Sequence, residues 1–133
     1  MTITVLTIDD DIAITELLSI LLRTNGFDAL IANSGEEGIR IIKEKSPELV
    51  ILDLMMPGMD GWQVCKAVRS FSNIPILILS ALDNPGMVAR ALDAGADDYL
   101  IKPVPSGVLI AHINNLVRRT KSESEVEVTE AEV

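Results

Sequence analysis

Polar residues follow four of the five short apolar segments in this 133-residue sequence, each at the point where the segment ends. Asp9 and Asp10 follow the first segment, Asp53 the third, Ser80 the fourth and Lys102 the fifth. If the segments are parallel strands, these residues share the sheet edge at which such folds bind ligands. Carboxylates brought together repel one another unless they are protonated or bind a cation. The pattern therefore predicts a cation site.

Oxygen ligands alone favour a hard ion, and a small, partly hydrated site suits Mg²⁺, although Mn²⁺ or Ca²⁺ could substitute. A carboxylate beside such an ion can attack phosphorus and form an acyl phosphate. Asp53 is the best-placed nucleophile, and Ser80 and Lys102 would stabilise the charge on the phosphoryl oxygens. Each aspartate alone could simply cap a helix or end a strand. Independent capping does not explain the serine and the lysine, so we favour the functional interpretation.

The apolar segments themselves predict five strands. They are continuous instead of alternating, as in parallel strands that helices cover on both faces. We predict strands at 5–8, 29–32, 49–52, 76–79 and 99–101.

Helical spacing of apolar residues and capping signals predict five intervening helices. The first ends before Asn25-Gly26, where a left-handed cap is expected, and the second opens at Ser34 with Glu37 completing a capping box. The others are predicted at about 60–71, 85–95 and 106–119. This alternation predicts an α/β fold of the flavodoxin-like (βα)₅ type, a doubly wound parallel five-stranded sheet in the order 2-1-3-4-5.

Composition limits the remaining possibilities. The chain carries 11 basic and 20 acidic residues, a net charge of −9, which argues against direct nucleic-acid binding. It has no apolar segment of about 20 residues, so we expect neither a membrane span nor export. Cys65 is the single cysteine and cannot form an internal disulfide, which fits the cytoplasm. We predict one domain at 1–119 and a disordered acidic tail at 120–133.

The ordered set of motifs resembles the receiver domains of bacterial response regulators, the CheY-like superfamily of two-component systems, over residues 3–119. The resemblance implies a switch that accepts a phosphoryl group from a histidine kinase or phosphotransfer protein. Such a domain catalyses only its own phosphoryl transfer and dephosphorylation, and is not otherwise an enzyme. The motifs are TIDDD at 7–11, VILDLMMPGMDGW at 50–62, LSA at 79–81, GADDYL at 95–100 and IKP at 101–103.

The resemblance also implies roles for the acidic residues. Asp53 is the phosphoacceptor and Asp10 a direct Mg²⁺ ligand. Asp9 is an acidic partner that often acts through water, and the backbone carbonyl of Met55 is a further ligand. Because Met55 and Leu82 would flank the phosphoryl group with apolar side chains that cannot orient a water molecule, we expect a long-lived phosphoryl state.

Three further residues take switch roles by the same resemblance. The Ser80 hydroxyl moves toward the phosphoryl group, Lys102 contacts a phosphoryl oxygen, and Tyr99 is the aromatic residue that turns inward. The Lys102-Pro103 peptide is expected to be cis, which proline tolerates.

The output is less defined by the sequence. GADDYL and Arg118-Arg119 resemble the receivers of OmpR-type regulators, which dimerise through the fourth helix, fifth strand and fifth helix and feed winged-helix DNA-binding domains. No such effector is present, which fits either a single-domain regulator or a longer regulator cut to its receiver, and the acidic tail favours the first. We expect a monomer or a weak phosphorylation-dependent dimer, because that face lacks the usual charges. Val88, Val108, His112 and Asn114 stand at those positions.

Two other functions remain open at this point. A flavodoxin-like flavin carrier shares the fold, but it needs polar phosphate loops and stacking aromatics, and the chain has only four aromatic residues. A phosphohydrolase that forms an aspartyl phosphate typically carries a second aspartate two positions after the nucleophile, where this chain has Met55.

Overall fold

Strands and helices alternate along the chain in a computed structural model that describes the backbone of residues 2–132 and the side chains of residues 2–120. Within that part, no helix combines the length and apolar character that crossing a bilayer requires. The strands are β1 (Thr4–Ile8), β2 (Asp28–Ala32), β3 (Leu49–Leu52), β4 (Ile76–Ser80) and β5 (Asp98–Ile101). The helices are α1 (Ile12–Thr24), α2 (Gly35–Lys45), α3 (Gly61–Arg69), α4 (Pro85–Asp93) and α5 (Ser106–Glu132).

The predicted acidic tail at 120–133 overlaps the end of α5. Nearly all of its side chains lie outside the described residues, so its predicted disorder, and the domain boundary at 119, stay predictions.

The five strands form one parallel sheet in the order β2-β1-β3-β4-β5. This order confirms the predicted flavodoxin-like topology. The winding reverses between β1 and β3, whose last residues, Ile8 and Leu52, lie opposite each other. The residues that follow these two strands are therefore brought side by side.

Alternate residues of the three inner strands enter two separate cores. β1, β3 and β4 are almost wholly buried, whereas the edge strands β2 and β5 are half exposed, because only inner strands have neighbours on both sides. One face of the sheet packs against α2, α3 and α4, and the other packs against α1 and α5. Leu6, Ile8, Val50, Leu52, Ile76 and Ile78 point to the first core, and Val5, Leu49, Ile51, Leu77 and Leu79 to the second.

Cys65 of α3 lies in the first core with no exposed surface. Burial raises the pKa of its thiol to about 11, so it stays protonated at neutral pH. Its side chain therefore serves to fill the core.

The helix ends follow their capping residues. Gly26 closes α1 with a left-handed φ of +87°, as predicted. At α2 the Ser34 side chain accepts from the Glu37 amide, but among the described residues the reciprocal half of the predicted capping box is absent. The reciprocal box instead opens α3, where Asp60 and Gln63 each accept from the other's backbone N–H.

α3 and α4 end at residues 69 and 93, each two residues earlier than predicted. Ser70 donates its backbone N–H to the Ala67 carbonyl, which tightens the last turn of α3. Gly95, with a φ of +117°, turns the chain away after α4.

Candidate functional site

The ends of β1 and β3 bring three carboxylates together. The Asp9 amide donates to the Ala32 carbonyl at 3.1 Å, and the Asp53 amide donates to the Ile8 carbonyl at 3.0 Å, so both residues continue the sheet pairing by one step. One carboxylate oxygen from each of Asp9, Asp10 and Asp53 lies within 4.8 Å of the other two. Asp9 and Asp53 are buried and Asp10 is exposed. The predicted acidic cluster is therefore present.

Lys102, immediately after β5, reaches this cluster from the other side. Its Nζ lies 2.9 Å from Oδ2 of Asp9 and 3.9 Å from Oδ1 of Asp53. The Lys102 amide donates to the Ser80 carbonyl at 2.8 Å, which anchors the residue beside β4. The peptide between Lys102 and Pro103 is cis, as expected. A single cation thus faces two buried carboxylates.

The electrostatics of Asp53 reflect this crowding. Burial is the main cause that raises the pKa of its carboxyl above the ordinary value, and the charge of Asp9 adds to it. Lys102 is the strongest opposing influence, and the Ser80 hydroxyl and the Leu54 amide also lower the pKa. The net pKa remains raised, so a bound cation would stabilise the ionised form of Asp53.

Ser80 and Tyr99 meet at the segment that joins β4 to α4. Ser80 is the last residue of β4, not the first after it, and it is fully buried. Its Oγ accepts from the Leu82 amide at 3.3 Å, while the Tyr99 hydroxyl donates to the Leu82 carbonyl at 2.7 Å. Burial raises the pKa of the Tyr99 hydroxyl. Both predicted switch residues are therefore bonded to one residue, Leu82.

The segment between β3 and α3 passes close beneath the site. The Gly61 amide donates to the Leu54 carbonyl at 3.0 Å, and a Cβ on Gly61 would lie 2.5 Å from the Asp53 carbonyl oxygen. Only glycine allows this approach. Met55 follows the buried Leu54 with its side chain 60% exposed, beside the site and open to solvent.

Two contacts were not predicted from the sequence, and a third residue follows one of its alternatives. The Asn33 side-chain amide donates a hydrogen bond to the Asp9 carbonyl at 2.9 Å. Asn33 directly follows β2, so a search for polar residues at strand ends could have found it. Asp11 caps α1, the role that the alternative interpretation of the aspartates gives to it. His112, for which the sequence predicts no chemistry, pairs through Nδ1 with Asp98 of β5 at 2.5 Å, and no local pattern reveals this contact.

The donor atoms suit a hard divalent cation. The cluster offers carboxylate oxygens only, two of them on buried side chains, and oxygen-only sets favour Mg²⁺, Mn²⁺ or Ca²⁺ over softer metals. The residues present therefore fit a Mg²⁺ ion.

Comparison with known proteins gives a consistent result. The profile of the family described as the response regulator receiver domain matches residues 5–114. The chain is 40% identical over 119 residues to the DNA-binding response regulator MtrA of Mycolicibacterium paratuberculosis, a match that covers 90% of this chain and 53% of the relative. It is 41% identical, with the same coverage, to the transcriptional regulatory protein AfsQ1 of Streptomyces coelicolor.

A solved structure shares the fold closely. The receiver domain of the Francisella response regulator 1452 superposes with a TM-score of 0.84 at 36% identity, covering 90% of this chain and 99% of that one. The chain spans about half the length of the curated relatives it matches.

Proposed function

Because this chain belongs to the response regulator receiver domain family, we propose that it is a two-component phosphorylation switch with Asp53 as its phosphoacceptor. Members of the family are signalling regulators and not classical enzymes. We therefore do not favour a flavin carrier or a phosphohydrolase. The observation that carries the assignment is the convergence of Asp53 with Asp9, Asp10 and Lys102 at one sheet edge.

The proposed chemistry is a single phosphoryl exchange. A carboxylate oxygen of Asp53 attacks the phosphorus of a phosphohistidine, the O–P bond forms, and the N–P bond breaks to release the histidine. The Lys102 ammonium group lies close enough to Asp53 to stabilise the negative charge on a phosphoryl oxygen. The buried Ser80 hydroxyl can donate a second hydrogen bond to the phosphoryl group. Hydrolysis later returns the carboxylate, so the chain acts only on its own phosphoryl group.

Asp10, Asp53 and the Met55 carbonyl are the proposed direct Mg²⁺ ligands. Both oxygens of Asp9 already accept hydrogen bonds, from Lys102 and from the Asp11 amide, which suits a role through water. Among the described residues no group donates a hydrogen bond to the Asp10 carboxylate, so its oxygens are available. When bound, Mg²⁺ supplies positive charge that offsets the carboxylate repulsion and the charge of the phosphoryl oxygens.

The switch would act on the surface formed by α4, β5 and α5. Leu82 is hydrogen-bonded to both Ser80 and Tyr99, so movement of the Ser80 hydroxyl toward a phosphoryl group would change the hydrogen bonding in the segment before α4 and at β5. Phosphorylation then favours one of two arrangements of that surface, which a partner reads.

The proposed partners follow from this chemistry. A sensor histidine kinase or phosphotransfer protein supplies the phosphoryl group in the cytoplasm, and an effector protein or effector domain receives the signal. With a net charge of −9 this chain is not expected to contact DNA itself, although relatives such as MtrA are DNA-binding regulators. The protein would be a monomer or a weak phosphorylation-dependent dimer.

Intact-protein mass spectrometry tests the phosphoacceptor. After incubation with acetyl phosphate and Mg²⁺, we expect one phosphoryl adduct on the wild type, and none on Asp53→Asn or when EDTA replaces Mg²⁺. An unmodified wild type, or an adduct that persists in Asp53→Asn, would contradict the proposal.

A further inference from the structure

Helix α4 is weakly attached to the rest of the fold. Ala91 is its only buried residue, and alanine offers little apolar surface. Gly86 lies in its first turn, where its missing side chain lowers helix propensity. An element with so few buried contacts opens more readily than its neighbours. The few contacts that α4 makes therefore decide where it rests.

One of these contacts joins α4 to α3. The guanidinium carbon of Arg90 lies 4.3 Å from the centroid of the Trp62 ring, within the range of a cation–π interaction. Among the described side chains Arg90 forms no salt bridge, and its guanidinium instead lies over the Trp62 ring. The two helices otherwise leave an open hollow of about 440 Å³ between them, lined also by Lys66. The Arg90–Trp62 contact therefore joins two helices that are otherwise loosely packed at this point.

Trp62 is itself held firmly, next to the phosphoacceptor segment. It is the second residue of α3 and only 7% exposed. The preceding Gly61 is bonded to Leu54 and leaves no space for a side chain against the Asp53 carbonyl. A packed route thus runs from the Asp53 backbone through the start of α3 to Arg90. It uses residues other than Ser80, Leu82 and Tyr99, although Leu82 and Tyr99 pack against the same core as Trp62.

We propose that Arg90 and Trp62 form a latch that holds α4 against α3 in the unphosphorylated protein. Breaking the latch releases α4 toward its alternative positions. The effect of the latch on the response to phosphorylation rests on the proposed function of Asp53. The existence of the latch in the unphosphorylated protein does not depend on that function.

Hydrogen exchange of the unphosphorylated chain tests the latch. In Arg90→Gln, amides of residues 85–93 should exchange roughly two- to fivefold faster than in the wild type, the range expected for one cation–π contact. Arg90→Lys keeps a cation and should lie between the two. Lys66→Gln removes an exposed cation from the same hollow and should change nothing. Equal exchange in Arg90→Gln and Lys66→Gln would overturn the proposal.

Trp62 is the only tryptophan, so its fluorescence reports on the same contact. Acrylamide should quench it more strongly in Arg90→Gln, because one face of the ring loses its cover. Unchanged quenching would also count against the latch.

Phosphorylation by acetyl phosphate separates the latch from the proposed switch. In Arg90→Gln the phosphorylation-dependent change in α4 exchange should be smaller than in the wild type, because α4 is already released. An equal change in both would refute the part of the latch in switching. If the wild type takes up no phosphoryl group, the function of Asp53 fails, while the unphosphorylated comparison still decides the latch.

Discussion

The ammonium group of Lys102 lies 1.0 Å closer to Asp9 than to Asp53, at 2.9 Å from Oδ2 of Asp9 and 3.9 Å from Oδ1 of Asp53. Both carboxylates are buried, and the lysine side chain is 26% exposed. The stronger pair thus forms with the residue that is not the proposed nucleophile. This leaves Asp53 free to react while its charge remains partly neutralised.

Replacing Lys102 by methionine should slow phosphorylation of Asp53 by about 100-fold, the usual cost of removing one donor that stabilises transition-state charge. The rate of adduct formation with acetyl phosphate, followed by intact mass, measures this. Lys66→Met removes an exposed cation from α3 and is the matched control. A wild-type rate in Lys102→Met would exclude the proposed role of the ammonium group.

Replacing Asp53 by asparagine should stabilise the metal-free protein at neutral pH by roughly 1 kcal/mol, because it removes a buried charge that faces Asp9. The pKa of Asp53 is raised on folding, so between pH 3.8 and the folded-state pKa the native state binds more protons than the unfolded state. Wild-type stability therefore falls as the pH rises through the folded-state pKa and then levels off. The stability advantage of Asp53→Asn should be full above that pKa, shrink as the pH falls below it, and vanish below about pH 3.8, where the carboxyl is protonated in both states.

Denaturant unfolding in EDTA across this pH range measures the difference. Asp28→Asn, an exposed aspartate at the opposite end of the sheet, is the control and should match the wild type. If Asp53→Asn is less stable than the wild type at pH 7, the wild-type Asp53 carboxylate must be stabilised by its neighbours, Lys102 above all, by more than burial and Asp9 destabilise it.

Mg²⁺ should raise the thermal midpoint of the wild type, because a ligand that binds only the native state stabilises it by mass action. Asp10→Asn should lose most of this shift, since Asp10 offers the accessible carboxylate of the cluster. Thermal unfolding at increasing Mg²⁺ concentrations tests the assignment. An undiminished shift in Asp10→Asn would mean that the ion binds elsewhere.

Much of the fold and the position of the site could be predicted from local patterns. The continuous apolar segments of β1, β3 and β4 require cover on both faces, and parallel strands then bring Asp9 and Asp53 to one edge. The pairing of Lys102 with Asp9 joins residues 93 positions apart, and its distance depends on where the sheet places the ends of β1 and β5. The contacts of His112 with Asp98 and of Arg90 with Trp62 likewise arise from tertiary packing, which no local pattern encodes.

The lifetime of the phosphoryl group should depend on Met55. Its side chain is 60% exposed, two residues beyond Asp53, and a thioether cannot orient a water molecule toward phosphorus. Met55→Asn adds an amide that can hold such a water, so dephosphorylation should be severalfold faster, while Met55→Leu should behave like the wild type. The decay of the adduct mass after removal of acetyl phosphate, in Mg²⁺ buffer, gives both rates. Wild-type decay within seconds would show that the apolar flank does not protect the acyl phosphate, since the water would then be positioned by other groups.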